Sequence, residues 1–489
     1  MLLQNLIADS IADVIASPNI DDIKITGITD NSKDTKEGYL FVAVKGYSSD
    51  GHEYIEEAIR KGARAVIGEK PMVYLAVPYI QVSNSRRILG AVAKQFYKDP
   101  SSQKIMIGVT GTNGKTTISY MLRQILEENG VSCSVIGTIQ YMINGETIES
   151  RNTTPGNVEL NALLAKSEDQ AVILEVSSHG LAQYRLEGIE FDYCIFTNLY
   201  HEHLDFHQTM EGYFHAKAML FDKLKSTGLA IINGDNEWGE RLIKNLHEKR
   251  VNTYVIGTAS HSDLQITDFQ SAPNPSISMY ENGVRVNLAI PLPGHHNLYN
   301  AAIAYAVTRR MSIRKQEILP VLEHFSGVPG RFEIYRDEDG PTMVIDYAHT
   351  ADAIFHALQT AKQCGAMRIF HIFGFRGGRD QTKRAEMVKV SSEMSDVSIL
   401  TMDDLDSEAS DEMVASLHTL HHDYAEKKDL VIPDRTIAIK TAIKMGKKDD
   451  WIVITGKGPE SYKQPFALPT QSDKETVLYL QEKIQRAIQ

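Results

Sequence analysis

The stretch IMIGVTGTNGKTT, residues 105–117, is the feature that most constrains the fold of this chain. An apolar run leads into a glycine-rich turn, and TTISYMLRQIL then follows with the pattern of an amphipathic helix. In a phosphate-binding loop, glycines let backbone N–H groups turn toward phosphate oxygens, and the next helix presents its positive end. We therefore favour a nucleotide-binding loop over a chance glycine-rich turn.

Lys115 and Thr116 supply the chemistry of this loop. In such loops the lysine reaches the terminal phosphates, and the hydroxyl that follows it binds Mg²⁺. The spacing departs from the usual G-x-x-x-x-G-K, because Val109 stands where the first glycine is expected and Gly108 and Gly111 flank it. Strand, loop and helix still occur in the order that the motif requires, so the sequence predicts nucleotide binding.

Short apolar runs alternate with helical stretches along the chain, which predicts an α/β fold. AVILEV, YCIFTNL and LAIING, and later TMVID, RIFHIFGF and DWIVITG, are typical of a mostly parallel sheet covered on both faces. The 489 residues exceed the about 250–300 that one core supports. We predict three domains, at 1–98, 99–330 and 331–489, with the second boundary at the glycines and proline of SGVPGRFE.

The composition is that of a soluble globular protein, with 42% hydrophobic and 23% charged residues. A net charge of -12 disfavours a nucleic-acid surface, which needs clustered Lys and Arg. No apolar run is long enough to span a bilayer, and the acidic residues near the start argue against a secretory signal. We expect a cytoplasmic monomer that binds neither nucleic acid nor membrane.

Two polar clusters follow the glycine-rich loop. Glu175 ends the apolar run AVILE. The second cluster, TNLYHEHLDFH, contains His201, His203, Asp205 and His207. Ligands gather at the carboxyl ends of strands in open α/β sheets, so these side chains could complete a metal shell beside the phosphates. Imidazoles also suit zinc, but nearby phosphates and the lack of a cysteine site favour Mg²⁺ or Mn²⁺.

A series of motifs extends the pattern over nearly the whole chain. In order they are TGTNGKTT, NTTPG, EVSSHGLAQYR, NLYHEHLDFH, YFHAKAMLF, GHHNLYNAAIA, GVPGRFE, DYAHTAD, GGRDQTKR and TGKGPES. Together they resemble the Mur ligase family, and within it the UDP-MurNAc-tripeptide synthetases. The resemblance implies an N-terminal uridine-nucleotide domain, a central P-loop ATPase domain and a C-terminal Rossmann-like domain that binds the amino acid.

The reaction that this resemblance implies is ATP-dependent amide formation in peptidoglycan precursor synthesis. The γ-phosphate of ATP passes to a carboxylate of UDP-MurNAc-L-Ala-D-Glu, and the amine of a diamino acid then displaces phosphate from the acyl phosphate. Phosphorylation supplies the leaving group that a carboxylate lacks, so the protein has mainly to position substrates and neutralise charge. The UDP-sugar dipeptide and a free amino acid are therefore the expected partners.

The resemblance also assigns residues to ATP and to the metal. The phosphate loop is expected to use Thr110, Gly111, Thr112, Asn113, Gly114, Lys115 and Thr116. Around the rest of the nucleotide it implies Asn297, Asn300, Arg331, Asp346 and His349. The implied Mg²⁺ ligands are Thr116, Glu175, His203 and Lys217, the last as a carbamate. Carbamylation would turn a cation into an anion able to bind Mg²⁺, and the catalytic set is then Lys115, Lys217, His203 and Glu175.

Further residues match positions that bind the UDP-sugar dipeptide. For its dipeptide end they are Asn152, Thr153, Thr154, Ser177, Gln183 and Arg185, and for the uridine diphosphate Ser32, with Lys45 and His52 as additional candidates. Asn, Thr and Ser can orient a carboxylate, and Arg can hold one with two hydrogen bonds. For the incoming amino acid the matching residues are Arg379, Gly456 and Glu460.

The loop that selects the amino acid departs from the family pattern. Members that add diaminopimelate carry D-N-P-R there, and this chain has Asp403, Asp404, Leu405 and Asp406. Asp403 is kept, whereas Asp406 would repel a carboxylate and attract an ammonium. The acidic residues favour a cationic acceptor such as L-lysine or ornithine, while meso-diaminopimelate stays open.

Two other functions compete with this interpretation. A folylpolyglutamate synthetase-like ligase would extend a glutamyl chain, although the N-terminal segment with TDNSKDTKEGYLFVAVKGYSSDGHEY argues against it. A nucleotide-binding regulator without catalysis is the other alternative. Retention of Lys115, Thr116, Glu175, His203 and Lys217 favours an enzyme.

Overall fold

The structure is a computed structural model that describes residues 1–8, 13–18, 20–46, 49–270, 274–337, 339–378, 380–426 and 428–488. The chain forms two compact units. Unit 1 comprises Met1–Thr110, Val131–Ile195 and Ala216–Ala230, and unit 2 comprises Gly111–Gly130, Phe196–His215 and Ile231–Gln489. The phosphate loop therefore begins unit 2, directly after a strand of unit 1. Among the described residues, no helix combines the length and the apolar character that crossing a bilayer requires.

The first 98 residues form a small sheet with helices. The elements are α1 (Leu3–Ile7), β1 (Val14–Ala16), β2 (Gly27–Thr29), β3 (Tyr39–Val42), α2 (Ile55–Arg60), β4 (Ala63–Gly68), β5 (Tyr79–Val82) and α3 (Ser85–Phe96). The strand order is β1-β5-β4-β3-β2, in which only β1 runs antiparallel to its neighbour. Strands β3 and β4 have the apolar sequences YLFV and ARAVIG. Apolar side chains of α1 and α3 pack on this sheet with those of β3 to β5.

The middle of the chain contains most of the strands. Its elements are β6 (Ile105–Thr110), α4 (Lys115–Glu128), β7 (Cys133–Ile136), β8 (Gln140–Ile143), β9 (Glu146–Glu149), α5 (Asn157–Lys166), β10 (Ala171–Glu175), α6 (Ser178–Ala182), β11 (Phe191–Phe196), α7 (Leu204–His207), α8 (Met210–Ala218), β12 (Leu224–Asn233), α9 (Glu237–Glu248), β13 (Thr253–Gly257), β14 (Leu264–Gln270), β15 (Ser276–Glu281), β16 (Val284–Ala289), α10 (His295–Arg310) and α11 (Lys315–Glu323).

Strand β6, which precedes the phosphate loop, belongs to a group of parallel strands in unit 1. Strand β10 lies between β6 and β7 and is parallel to both, while β7, β8 and β9 form an antiparallel meander. In unit 2, β13 is parallel to β14, and β14, β15 and β16 are antiparallel. The parallel strands confirm the α/β class, whereas the two antiparallel additions are features that the sequence pattern did not indicate.

The chain from residue 331 onward forms a Rossmann-like layer structure within unit 2. Its elements are β17 (Glu333–Tyr335), β18 (Thr342–Asp346), α12 (Ala351–Gln363), β19 (Ile369–Phe375), α13 (Arg384–Met394), β20 (Val397–Met402), α14 (Ser410–Tyr424), β21 (Leu430–Val431), α15 (Arg435–Met445), β22 (Trp451–Thr455) and α16 (Asp473–Ile488). The order is β17-β18-β22-β19-β20-β21, and β18 to β21 are parallel.

Helices cover both faces of this last sheet. Buried side chains of α12, α13 and α14 pack on one face, and those of α15 and α16 pack on the other. Residues Ile369–Phe375 are buried along the whole strand, as expected for the centre of a doubly covered parallel sheet. The carboxyl ends of β19, β20 and β22 therefore open at one edge of the sheet, where side chains are free to serve a ligand.

Candidate active site

The glycine-rich loop is held in shape by close backbone approaches within unit 2. Gly114 has φ +92, and a Cβ there would lie 2.5 Å from Asn300 Oδ1. A Cβ on Gly111 would lie 1.8 Å from Thr197 Oγ1. Thr197 Oγ1 donates to Asn113 O at 2.6 Å, and Asn113 N donates to Asn198 Oδ1 at 2.9 Å. These contacts leave no room for side chains at the two glycines, so the loop backbone can approach a phosphate.

Lys115 opens helix α4, and its ammonium folds back over the loop. Its Nζ donates to Gly111 O at 2.8 Å and to Thr112 O at 2.9 Å. Thr112 Oγ1 accepts the Tyr200 N–H at 3.0 Å, which connects the loop to the segment after β11. The ammonium thus lies at the start of a helix, where a phosphate is stabilised by both the helix end and the positive charge.

Two residues of the chain after 330 contact the phosphate loop directly. Arg331 Nη2 donates to Thr116 Oγ1 at 3.3 Å, and Asn113 Nδ2 donates to Asp352 Oδ2 at 3.1 Å. The Arg331 guanidinium also lies over the Tyr347 ring, 4.4 Å from its centroid. The structure therefore brings the predicted residue Arg331 to Thr116, and it adds Asp352, which the sequence analysis did not single out.

The other predicted nucleotide residues of unit 2 lie near these elements. Asn297 and Asn300 are one turn apart on α10, and Asn300 Nδ2 donates to Asn297 Oδ1 at 3.3 Å. Asp346 accepts the Phe332 N–H and the Ala348 N–H, both at 2.7 Å. Burial raises the pKa of Asp346 above its usual value. Asp346 consequently braces the turn around Arg331 through backbone bonds.

A buried carboxylate, Glu202, pairs two histidines that the sequence analysis had selected. Its Oε1 lies 2.7 Å from His349 Nε2, and its Oε2 lies 3.6 Å from His203 Nε2. Burial by itself would raise the pKa of Glu202, but the two histidines lower it well below its usual value. His203 adopts φ +57 at the start of α7, a backbone conformation that this pairing supports.

In unit 1, a cluster of hydroxyls surrounds Glu175 at the carboxyl end of β10. Thr138 Oγ1 donates to Glu175 Oε2 at 2.7 Å and lies 3.1 Å from Thr153 Oγ1. Thr154 Oγ1 donates to Glu175 O at 2.8 Å and accepts the Ser177 N–H at 2.9 Å. The structure thus brings together Glu175, Thr153, Thr154 and Ser177.

Arg185 and Gln183 lie beside the same cluster. Arg185 Nη1 donates to Thr154 O at 2.7 Å, and its Nη2 donates to Gln183 Oε1 at 2.8 Å. Burial lowers the pKa of Arg185 and raises the pKa of Asp30. The attraction between the two charges opposes both of these shifts. Asn152 contributes backbone atoms here, since its carbonyl accepts from Tyr141 OH at 2.8 Å. A half-buried guanidinium among hydroxyls can bind a carboxylate.

The candidates in the first 98 residues make contacts within the protein. Ser32 Oγ donates to Glu57 Oε2 at 2.8 Å, and Lys45 O accepts from Arg86 Nη2 at 2.7 Å. His52 Nδ1 lies 2.6 Å from Asp50 Oδ1, and His52 Nε2 accepts the Glu69 N–H at 2.8 Å. Both ring nitrogens of His52 are therefore used inside the fold.

The predicted metal ligands have the chemistry that Mg²⁺ prefers. Glu175 and Lys217 are each only 1% exposed in unit 1, and Thr116 and His203 belong to unit 2. A carboxylate, a hydroxyl and a carbamate are hard oxygen ligands, which suit Mg²⁺ better than zinc. Within the described ranges, no group of three or more His, Cys, Asp or Glu side chains is spaced to hold a metal ion.

At the carboxyl edge of the last sheet, acidic and basic side chains form pairs that we call the acceptor cluster: Arg376, Asp403, Asp404, Asp406, Gly456, Lys457, Glu460 and Lys463. Lys457 is fully buried, and its Nζ lies 2.8 Å from Asp404 Oδ2 and 3.4 Å from Asp403 Oδ1. Gly456 has φ +109, and a Cβ there would lie 3.2 Å from Asp403 Oδ2. Although burial opposes ionisation, Arg435 and Lys457 lower the pKa of Asp403.

The remaining contacts of the acceptor cluster bear on the expectation that the acidic loop favours a cationic amino acid. Lys463 Nζ lies 2.9 Å from Asp406 Oδ1, so Asp406 already has a cationic partner. Glu460 accepts from Tyr347 OH at 2.9 Å and forms an ion pair with Arg376. Arg379 lies outside the described residues. The acidic loop thus does not present an unbalanced negative charge, because lysine and arginine side chains pair with it.

Sequence reasoning missed Glu202, Arg376 and Lys457. All three lie inside or beside motifs that it quoted, but a motif does not reveal pairing across the chain. Glu202 meets His349 across 147 positions, and Arg376 meets Glu460 across 84. A charged residue at the carboxyl end of a buried strand is the signal that could have selected Arg376.

Comparisons with known proteins agree across the whole chain. The family models described as the Mur ligase family catalytic domain, the Mur ligase middle domain and the Mur ligase glutamate ligase domain match residues 24–97, 109–308 and 330–458. The chain is 36% identical over 458 residues to the UDP-N-acetylmuramoyl-L-alanyl-D-glutamate--2,6-diaminopimelate ligase of Clostridium tetani, covering 92% of each protein.

Solved structures show the same architecture. A UDP-N-acetylmuramoyl-L-alanyl-D-glutamate--2,6-diaminopimelate ligase superimposes with a TM-score of 0.68 at 27% identity, covering 96% of this chain and 97% of that one. The MurF ligase of Thermotoga maritima in complex with ADP gives a TM-score of 0.65 at 20% identity, covering 96% and 100%. The α/β fold with its successive domains is therefore shared over nearly the full length.

Proposed function

This chain belongs to the Mur ligase family, and from that premise we propose that it is an ATP-dependent ligase that joins a diamino acid to UDP-N-acetylmuramoyl-L-alanyl-D-glutamate. The similar protein of Clostridium tetani is named for that UDP-sugar dipeptide and for 2,6-diaminopimelate. The similar ligase of Thermotoga maritima was solved with ADP. Both names support a nucleotide-dependent ligase of peptidoglycan precursor synthesis.

Contacts between the phosphate loop and the chain after residue 330 carry this proposal. Arg331 Nη2 lies 3.3 Å from Thr116 Oγ1, and Asn113 Nδ2 lies 3.1 Å from Asp352 Oδ2. A ligase has to hold a phosphorylated carboxylate close to an incoming amine, which requires such a connection. A protein that only binds nucleotide has no need to couple its phosphate loop to a second ligand site.

The residues of the site have distinct tasks in the proposed reaction. Lys115 and the amides of its loop bind the triphosphate and stabilise charge as the γ-phosphoryl group moves to the substrate carboxylate. Arg185, Thr154 and Ser177 hold the dipeptide end so that its carboxylate oxygen forms the new P–O bond while ADP leaves. The amine then attacks the acyl carbon, the C–O bond to phosphate breaks, and an amide, phosphate and a proton are formed.

Mg²⁺ would be held by Thr116, Glu175, His203 and carbamylated Lys217, and it would neutralise the charge that builds up on the transferring phosphoryl group. Glu202 helps to position His203, because its Oε2 lies 3.6 Å from His203 Nε2. We further propose the domain boundaries 1–98, 99–330 and 331–489, with a monomer acting in the cytoplasm, where both ATP and the nucleotide-linked precursor are made.

A direct assay tests this function. The purified protein is incubated with ATP, Mg²⁺ and UDP-MurNAc-L-Ala-D-Glu, each amino acid is offered separately, and phosphate release and product mass are measured. Lys115→Ala should lower the rate by about 10²–10³-fold, because it removes a preorganised charge from the transition state. Thermal unfolding of the variant serves as the control for folding.

The alternatives predict other outcomes of the same assay. Extension of a glutamyl substrate in place of the muramyl dipeptide would indicate a folylpolyglutamate synthetase-like ligase. ATP binding without amide formation for any amino acid would indicate a regulator. An undiminished rate for Lys115→Ala would overturn the role of the phosphate loop.

A further inference from the structure

Most acids of the acceptor cluster already have cationic partners. Lys457 Nζ lies 2.8 Å from Asp404 Oδ2, and Lys463 Nζ lies 2.9 Å from Asp406 Oδ1. Lys457 is fully buried, so this pair cannot exchange partners with a ligand without a large desolvation cost. The loop at 403–406 is consequently a poor selector for a cationic side chain.

The ion pair of Arg376 and Glu460 differs from these pairs because it is accessible. The Arg376 side chain is 21% exposed and the Glu460 side chain is 32% exposed. Arg376 uses the same nitrogen, Nη2, for Glu460 and for Asp404 Oδ2 at 3.4 Å. Among the described residues, its Nε and Nη1 donate no hydrogen bond to the protein. Two donors of a guanidinium therefore stay available at the carboxyl end of β19.

An accessible acid–base pair is complementary to a zwitterion. A carbon that carries both an ammonium and a carboxylate can place the ammonium on Glu460 and the carboxylate on Arg376, so that no charge is left unpaired. A plain ammonium, as at the end of a lysine side chain, would compete with Arg376 for Glu460 and meet its positive charge. The pair thus discriminates by repulsion as well as by attraction.

We propose that Arg376 is a specificity-determining residue, which binds a carboxylate at the far end of the incoming amino acid while Glu460 binds the ammonium on the same carbon. The acceptor class is then a diamino dicarboxylic acid. This inference rests on the proposed ligase function and names the residue that selects its acceptor. Tyr347 supports it by donating to Glu460 Oε1 at 2.9 Å, which fixes the carboxylate beside the guanidinium.

The test compares meso-diaminopimelate with L-lysine as acceptors for the wild type, Arg376→Gln and Arg376→Lys, at saturating ATP and UDP-MurNAc-L-Ala-D-Glu. Arg376→Gln should lower kcat/KM for meso-diaminopimelate by about 10- to 100-fold, mainly through KM, because a charge-assisted contact is lost. L-Lysine should change by less than about 3-fold or improve, since a repulsive charge is removed. Arg376→Lys keeps the charge but loses the planar fork, so its selectivity should lie in between.

Arg368→Gln is the matched control. Arg368 lies just before β19 at the opposite end of the strand from Arg376, and it pairs with Asp450. The Arg368→Gln variant should keep the wild-type preference between the two acceptors. KM for ATP should stay constant in every variant. Thermal unfolding verifies that each variant folds.

The outcomes separate this inference from the function on which it rests. An equal loss for both acceptors in Arg376→Gln, or a wild type that prefers L-lysine, would overturn the role of Arg376 and leave the ligase function standing. A wild type that forms no amide with any amino acid would overturn both. A selective loss for meso-diaminopimelate supports both.

Discussion

Lys217 is a buried lysine whose proposed role depends on carbamylation. Lys217 is 1% exposed on α8. The neutral amine of a lysine is the nucleophile that reacts with CO₂ to give a carbamate. A carbamate at this position would add anionic oxygens to those of Glu175 in the proposed metal set.

We expect Lys217→Ala to lower ligase activity by about 10²-fold or more, since it removes a charge at the transferring phosphoryl group. Added acetate should restore part of the rate, because a small carboxylate can occupy the vacated space. The measurement is kcat with increasing acetate, together with ¹³C NMR of the wild type in labelled bicarbonate.

Lys166→Ala is the control for this experiment, because Lys166 is 52% exposed and pairs with Glu146 on the surface. It should keep full activity and show no response to acetate. Full activity of Lys217→Ala without acetate would contradict the carbamate.

At this scale the sequence indicated residues whose roles follow from local pattern. Lys115 and Thr116 were identified because the strand, the loop and the helix are contiguous in the chain. Glu202 and Arg376 were not identified, because their partners lie 147 and 84 positions away in the sequence. Contacts over such distances leave no periodic pattern in the sequence. The pairing of Asp406 with Lys463 was not predicted for the same reason, since Lys463 lies in another loop.

At the scale of elements, helix α10 is joined to strand β15 by a buried carboxylate. Glu281 accepts from Tyr305 OH at 2.9 Å, and it pairs with Arg309 at 3.2 Å and Arg310 at 2.9 Å. Burial opposes ionisation of Glu281, but Tyr305 and the two arginines outweigh it and lower its pKa below the usual 4.5. The helix that carries Asn297 and Asn300 is therefore fixed electrostatically.

Because the folded protein lowers the pKa of Glu281, this residue stabilises the fold fully above about pH 4.5, and the stabilisation is lost as the pH falls. We expect Glu281→Gln to lower the free energy of unfolding by about 1–3 kcal/mol at pH 7, since hydrogen bonds to a charged group are lost. The difference from the wild type should shrink below pH 4.5. Denaturant unfolding at several pH values measures it.

The exposed pair of Lys166 and Glu146 provides the control, because both side chains lie largely in solvent. Glu146→Gln should leave the unfolding midpoint unchanged at every pH. A pH-independent effect of Glu281→Gln would show that packing, and not charge, supplies its contribution.

Strands were predicted correctly from the sequence where every residue of the strand is buried. Strands β10, β19 and β22 are buried along their whole length, so their apolar runs stood out. The hairpin of β8 and β9 was missed because β9 is mostly exposed and its residues, ETIE, show no apolar run. Helix α10 has apolar residues on most of its sides. The periodicity of its sequence therefore does not show which side faces the core.

At the scale of the whole molecule, three contacts in unit 2 link the phosphate loop and its neighbours to the chain after residue 330. They are Glu202 with His349, Asn113 with Asp352, and Thr116 with Arg331. The Glu202–His349 pair is the shortest, with 2.7 Å between Oε1 and Nε2.

We expect His349→Ala to raise KM for ATP by about 10-fold, because one charge-assisted contact that holds the site together is lost. Limited proteolysis in the absence of ligands should cleave the connection at residues 325–331 faster than in the wild type. Steady-state kinetics and the time course of cleavage measure the two effects.

His422→Ala is the matched control, since this histidine is 88% exposed on α14 and should change neither quantity. Unchanged proteolysis together with unchanged KM in His349→Ala would contradict the linking role of the pair.

The order of motifs was sufficient to recognise the family at this scale, because each motif stays within one stretch of chain. The arrangement into units was not predictable in the same way. Unit 2 takes Gly111–Gly130 and Phe196–His215 from the middle of the chain and joins them to everything after Ile231. Which segments of the chain join one unit depends on the surfaces that pack together. The local sequence pattern of a segment does not show this.

The acceptor cluster stands on the ends of β19, β20 and β22, whereas the buried strands behind it hold the layer together. The residues that stabilise the fold are therefore different from the residues that select the acceptor. A library of variants confined to positions 376 and 460 would therefore alter which amines fit while leaving the scaffold intact. A few substitutions at this rim are then enough to change the acceptor.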